Sequence, residues 1–176
     1  MNIKRIITGY LDENCYILTI DNECLIVDPG DNYEKLKNEI GKNKVLGILL
    51  THNHFDHVGA VSDIKRDYNC MVYSCRNLKE EETIISNFKF NVIYTFGHTS
   101  DSISFYFQED KIMFTGDFLF KGTVGRWDLP TGNMEDMHIS LNKMKTYPKD
   151  IIIYPGHGEC TILSYELDNN EYLFTN

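Results

Sequence analysis

The stretch Thr51-His52-Asn53-His54-Phe55-Asp56-His57 places three histidines and one carboxylate within seven residues. Crowded histidines repel one another once protonated, whereas a divalent cation binds neutral imidazole and ionised carboxylate together. His52 and His54 are two residues apart, so an extended segment would point both side chains the same way. The stretch therefore predicts a metal site.

The flanking sequence predicts how this stretch is held. An apolar run at 45–50 precedes it, and apolar residues at helical spacing follow it up to Tyr68. We predict the end of a strand, a loop, and a helix that starts just after Phe55 with Asp56 as its N-cap. Open α/β sheets carry their active sites at the carboxyl ends of strands, which is where this motif is expected.

Three later segments share one pattern, in which an apolar run ends at a glycine beside a metal-ligand residue type. They are Gly97-His98, Gly116-Asp117 and Gly156-His157, and each is a weak signal alone. Two ions that share a bridging ligand need about as many donors as these segments and the first motif supply together. The predicted ligands are His52, His54, Asp56, His57, His98, Asp117 and His157. Nitrogen and oxygen donors without a thiolate favour zinc, with iron or manganese allowed. His138, the sixth histidine, is interpreted as structural or solvated.

Composition limits the classes of partner. The 176 residues suit one domain, and 17 basic against 26 acidic residues give a formal charge of -9. That charge argues against nucleic acid as an unaided electrostatic partner, and no segment reaches the roughly 18 apolar residues of a membrane span. Five cysteines without a CxxC pair, and no recognisable signal peptide, predict reduced thiols in a cytoplasmic protein. The oligomeric state is left open.

The order of apolar segments predicts strand hairpins interleaved with single helices. Strands are predicted first at 3–7, 15–20 and 24–27, and amphipathic helices at 33–43 and 134–147. A polar stretch around 77–87 is predicted to be helical, and the tail from Thr161 to close with a helix. Two face-to-face sheets backed by helices would bury such strands, although periodicity alone leaves the architecture open.

These residues resemble a known family. Residues 51–57 resemble the HxHxDH signature of the metallo-β-lactamase superfamily, and the segments around His98, Asp117 and His157 resemble its remaining motifs, in the expected order. The resemblance runs from about Asn14 to about Glu166. It implies an α/β fold, namely an αββα sandwich of two mixed β-sheets flanked by helices.

Within the superfamily, the segment 119–128 resembles the short, single-domain hydroxyacylglutathione hydrolases of the glyoxalase II type. That resemblance implies two metal ions and hydrolysis of small-molecule S-2-hydroxyacyl thioesters, such as S-lactoylglutathione, by a hydroxide held between the ions. It implies that Asp56 is catalytic, binding its metal and orienting the hydroxide. The implied ligands are His52, His54 and His98 for the first ion and Asp56, His57 and His157 for the second, with Asp117 as the bridge.

Two departures from the family bear on the substrate. Residues 1–176 are expected to form one domain without the C-terminal helical domain that supplies cationic contacts to glutathione. Arg126 matches a cation-bearing position of the family and is predicted to bind a substrate carboxylate, with a salt bridge to Asp128 as the alternative. The carrier thiol is therefore left open.

Four other functions stay open or are disfavoured. A persulfide dioxygenase with one iron shares the Gly-Arg-x-Asp loop at Gly125, and a hydrolase of another ester or lactone would use the same site. A β-lactamase is disfavoured because no export signal is recognised. A non-catalytic metal-binding protein would have a closed coordination shell. The number of bound metals separates the hydrolase from the dioxygenase.

Overall fold

The computed structural model describes residues 1–174, which form two mixed β-sheets packed face to face. The strands are β1 Asn2–Thr8, β2 Glu13–Ile20, β3 Glu23–Val27, β4 Lys44–Leu49, β5 Met71–Tyr73, β6 Glu82–Ile85, β7 Phe88–Tyr94, β8 Ile103–Phe107, β9 Ile112–Gly116, β10 Leu119–Phe120, β11 Thr123–Val124, β12 Ile152–Pro155 and β13 Thr161–Ile162. The helices are α1 Tyr33–Ile40, α2 Phe55–Val58, α3 Val61–Tyr68, α4 Met134–Met144, α5 Leu163–Asn169 and α6 Glu171–Phe174.

Each sheet combines parallel and antiparallel pairs. The first has the order β1-β2-β3-β4-β5, and its β3-β4 and β4-β5 pairs are parallel. The second has the order β13-β12-β9-β8-β7-β6, and its β12-β9 pair is parallel. The small hairpin β10-β11 follows β9. The carboxyl ends of β3, β4 and β5 therefore meet at one edge of the first sheet.

Three apolar clusters hold the layers together. Along β2, Tyr16 and Leu18 point into the cluster between the sheets, while Cys15 and Ile17 point to the outer face. This alternation is the period of two expected of a strand buried on both faces. Helices α1 and α3 cover the outer face of the first sheet, and α4, α5 and α6 cover that of the second. The predicted αββα sandwich is confirmed.

Two local predictions were wrong. The stretch 77–87 contains the edge strand β6, which pairs with β7, and carries no helix. The helix after the histidine motif begins at Phe55 with His54 at its N-cap, and it is split into α2 and α3. Asp56 is therefore inside the first turn, and its carboxylate lies 3.3 Å from His157 Nε2. The helix predicted in the tail is present as α5 and α6.

No helix within residues 1–174 has the length and apolar character needed to cross a bilayer; the longest, α4, has 11 residues.

Candidate metal centre

The structure brings all seven predicted ligand residues to one place. His52 and His54 follow β4, Asp56 and His57 lie in α2, and His98, Asp117 and His157 stand in loops after β7, β9 and β12. Loops after four strands therefore converge beside the edge where β3 and β4 end. His138 is exposed on α4, outside this cluster, as expected.

The first group of donors consists of three imidazoles. His54 Nδ1 lies 3.1 Å from His52 Nε2 and 2.9 Å from His98 Nε2. Burial and the neighbouring imidazoles lower the pKa of both His52 and His54. These rings are therefore neutral at pH 7, which is the form that binds a metal.

The second group combines a carboxylate with two imidazoles. Asp56 Oδ2 lies 3.3 Å from His157 Nε2 and 3.8 Å from His57 Nε2. Burial lowers the pKa of His57, but Asp117 and Asp28 outweigh burial and raise it well above the usual range. Burial also lowers the pKa of His157, but the Asp56 hydrogen bond and the charges of Asp117 and Asp56 together outweigh burial and raise it. The nearby carboxylates thus stabilise positive charge on these two imidazoles. They would stabilise a bound metal cation in the same way.

Asp117 stands between the two groups. Its Oδ1 lies 3.3 Å from His57 Nε2, and its Oδ2 lies 3.6 Å from both His98 Nε2 and His157 Nε2. Burial opposes its ionisation, yet the imidazoles, His57 foremost, hold its pKa well below the usual range. A carboxylate with one oxygen toward each group has the placement that a bridging ligand needs.

Unpartnered atoms test whether a cation fits. Among residues 1–174, His57 Nε2 and Asp117 Oδ1 are buried and face each other at 3.3 Å, and neither makes a hydrogen bond of normal geometry. Such atoms are costly unless something satisfies them. The backbone of Gly156 closes over the same point, where a Cβ would overlap Asp117 Oδ1 and lie 2.7 Å from His57 Cε1. The donor set and the unpartnered atoms thus fit divalent metal.

Hydrogen bonds behind the imidazoles fix their tautomers. His98 Nδ1 donates to the Arg126 carbonyl at 2.7 Å, and His157 Nδ1 donates to the Leu11 carbonyl at 3.1 Å. His57 Nδ1 donates to Asp28 Oδ2 at 3.0 Å. Each bond leaves Nε2 free to accept a metal, as is usual for histidine ligands.

The sequence reasoning missed Asp28 and Glu13. Asp28 also accepts bonds from Thr51 N at 2.8 Å and from Thr51 Oγ1 at 2.6 Å, so it ties the β3 end to the histidine motif. It follows an apolar strand and lies two residues before Gly30, a pattern similar to the one that marked the later ligands. Glu13 is buried 3.9 Å from His57 Nδ1, and burial raises its pKa to about 9. No sequence signal marked it.

An open cleft of about 470 Å³ lies over the donors. Its apolar walls are Leu11, Phe55, Phe120 and Leu129. Arg126 lines the same cleft, but its exposed guanidinium makes a two-bond pair with Asp128, at 2.7 and 2.8 Å. The salt bridge to Asp128, which was the alternative role of Arg126, is thus present. Binding of a substrate carboxylate by Arg126 stays a prediction.

Comparison with known proteins gives related hydrolases. A probable metallo-hydrolase, YqgX of Bacillus subtilis, is 31% identical, with 98% of each chain covered. The hydroxyacylglutathione hydrolase GloC of Haemophilus influenzae is also 31% identical, with 98% of each chain covered.

Two solved structures share the fold of this chain, and each is 31% identical to it in sequence. The crystal structure of BLEG-1 B3 metallo-beta-lactamase is 31% identical with a TM-score of 0.93, covering 99% of this chain and 100% of the other. That of TTHA1623 in a di-iron-bound form is 31% identical with a TM-score of 0.88, covering 97% and 100%. The sequence model of the metallo-beta-lactamase superfamily matches residues 8–83 and 78–157, so this chain belongs to that superfamily of metal-dependent hydrolases.

Proposed function

We propose that this protein is a two-metal thioesterase that hydrolyses small S-2-hydroxyacyl thioesters, of which S-lactoylglutathione is the representative. The observation that carries the proposal is the placement of Asp117, with one carboxylate oxygen 3.3 Å from His57 and the other 3.6 Å from His98. This arrangement supports two ions that share one ligand. The TTHA1623 structure, with two irons, supports the same count, and GloC supports the substrate class.

The proposed ligands form two groups, according to the distances between their donor atoms. His52, His54 and His98 would hold the first ion and Asp56, His57 and His157 the second. Asp117, which lies near both groups, would contact both ions. When bound, the ions would supply a nucleophile at neutral pH and polarise the thioester carbonyl. We propose zinc, because all seven donors are nitrogen or oxygen, with iron and manganese as alternatives.

The chain's own groups have separate parts in the reaction. Asp56 faces the cleft and would accept a hydrogen bond from the attacking water, which orients it toward the carbonyl. Leu11, Phe55 and Phe120 would exclude bulk water from the acyl group. A thiol has a pKa near 8.5, so the leaving thiolate needs no dedicated acid. The free cysteines fit a reducing compartment, and we place the reaction in the cytoplasm.

β-Lactam hydrolysis is a second candidate, because BLEG-1 covers 99% of this chain with a TM-score of 0.93. Attack on a lactam carbonyl would use the same groups, but its leaving amine needs a proton that a thiolate does not. Among the cleft residues that the structure describes, Arg126 is the one side-chain N–H donor outside the proposed ligands, and its guanidinium stays protonated. The thioester is therefore the better substrate for this site.

Parallel assays of one metal-analysed preparation test the proposal. We expect about two metal ions per chain, hydrolysis of S-lactoylglutathione, and much slower opening of a chromogenic β-lactam. Lactam hydrolysis without thioester hydrolysis would favour the second candidate. One iron per chain with oxygen uptake on glutathione persulfide would identify a dioxygenase and contradict the proposal.

A further inference from the structure

A cationic residue stands at the same sheet edge as the metal centre. Strands β4 and β5 are parallel, Leu49 is opposite Tyr73, and Leu50 N donates to the Tyr73 carbonyl at 2.8 Å. His52 lies three residues beyond Leu49, and Arg76 lies three residues beyond Tyr73. Because the two strands end together, the loops that follow them lie side by side.

A side trench of about 510 Å³ lies beside the metal cleft and is lined by Arg76. His54 and Leu129 line both the metal cleft and this side trench, so the two spaces adjoin. Asn53, Arg76 and Asp101 line the side trench and also a further cavity of about 330 Å³. A molecule bound at the metal centre by its thioester can therefore extend along the side trench to Arg76.

The Arg76 guanidinium is available to a ligand. Among residues 1–174 this guanidinium has no hydrogen bond or ion pair. It has no partner even though the chain contains 26 acidic residues against 17 basic ones. The guanidinium groups of the other three arginines are engaged: Arg5 by the Gly158 carbonyl, Arg66 by Asp63 and Asp67, and Arg126 by Asp128. Within the described chain, Arg76 is thus the one arginine whose side chain is left unpaired.

The turn that carries Arg76 is fixed by hydrogen bonds. Ser74 N donates to Asn77 Oδ1 at 2.9 Å, and Asn77 Nδ2 donates back to the Val72 carbonyl at 2.8 Å. In the same side trench, Thr99 Oγ1 donates to Asp101 Oδ1 at 2.7 Å, which orients that carboxylate. The side trench therefore presents one cation and one anion on ordered loops.

We propose that Arg76 binds the carboxylate of the leaving thiol, and that the carrier is a zwitterionic peptide thiol whose ammonium group lies near Asp101. The inference rests on the proposed thioesterase function and specifies the carrier. Guanidinium pairs with carboxylate through two parallel hydrogen bonds. Asp101 would repel a carrier that has anionic groups alone. It would attract the ammonium group of a zwitterion, which therefore fits the side trench better.

Kinetics with two lactoyl thioesters test the inference. For Arg76→Gln we expect KM for S-lactoylglutathione to rise about fivefold, as for loss of one solvent-accessible ion pair, with kcat unchanged. KM for the uncharged N-acetylcysteamine thioester should not change. Arg76→Lys should recover part of the loss. Arg66→Gln, which removes a paired arginine outside these cavities, should leave both substrates unaffected.

Binding of S-methylglutathione, measured by calorimetry on metal-loaded protein, separates this inference from the proposed function. Weaker binding to Arg76→Gln than to wild type supports the carrier site even if neither thioester is hydrolysed. Unchanged binding, or no binding to wild type, overturns it. Equal KM changes for the charged and uncharged thioesters would also overturn it, because they would show a general structural effect.

Discussion

Replacing Asp28 with asparagine should weaken metal binding although Asp28 belongs to neither proposed ligand group. Its Oδ2 accepts bonds from His57 Nδ1 at 3.0 Å and from Thr51 Oγ1 at 2.6 Å. Thr51 Oγ1 in turn lies 3.0 Å from His52 Nδ1. One carboxylate therefore orients a histidine of each group, directly for His57 and through a hydroxyl for His52.

Asparagine has one oxygen where aspartate has two. If that oxygen keeps the bond from Thr51 N, the amide NH₂ faces His57 Nδ1, and both atoms are then donors. The conflict is relieved when the proton of His57 moves to Nε2, the atom that faces Asp56 and Asp117. Loss of a hydrogen bond between a metal-binding histidine and a neighbouring group that does not bind the metal lowers metal affinity by about 10- to 100-fold, or about 1.4 to 2.7 kcal/mol.

A competitive zinc titration against a chromophoric chelator measures this effect. We expect a 10- to 100-fold loss at the second-group site and a smaller loss at the first. Asp21→Asn makes the same chemical change in the exposed turn between β2 and β3, and should bind zinc as wild type does. If Asp28→Asn binds both ions within a factor of about two of wild type, the tautomer argument is wrong.

Three further perturbations probe the same region. Gly156→Ala should lower the unfolding free energy by about 1 to 3 kcal/mol and reduce bound metal, because its Cβ overlaps Asp117 Oδ1; thermal melts and metal analysis check this. The raised pKa of Glu13, about 9 against 4.5 unfolded, means that folding retains a proton and that stability falls as pH rises between those values. In metal-free protein the stability gain of Glu13→Gln over wild type should therefore grow from about pH 5 to pH 8; a constant difference would contradict the burial argument. His52→Ala should lose metal and nearly all thioester turnover, whereas exposed His138→Ala should keep both.

That the candidate ligand residues lie together was predictable, because their segments follow apolar strands. The register of strands then brings their ends together without further information, as the loops of His98, Asp117 and His157 illustrate. The αββα sandwich was predicted from the resemblance to a family and not from periodicity. Strand lengths alone would have allowed other arrangements of the same hairpins and helices.

The failures have a common physical cause, which is that nonlocal contacts decided the local structure. The charged run Lys79-Glu80-Glu81-Glu82 has good helix propensity, yet residues 82–85 form an edge strand because β7 offers a backbone to pair with. Glu13 is a polar residue at the start of a strand, and only the folded chain buries it beside His57. Neither outcome can be derived from a single window of sequence.

The histidine motif alone does not make the metal centre, since its geometry depends on the turn after β3. Ala60 N donates to the Pro29 carbonyl at 3.0 Å, and a Cβ on Gly30 would overlap the Asp56 carbonyl. The backbones of the turn and of α2 are thus in direct contact. Any side chain at position 30 would prevent this contact. That contact brings the Asp28 carboxylate within 3.0 Å of His57 and turns His57 Nε2 toward Asp117. Residues 28–30 and 56–60 consequently act as one structural unit, and we expect a sequence that kept the histidines but lost Gly30 to lose the geometry of the proposed second ligand group.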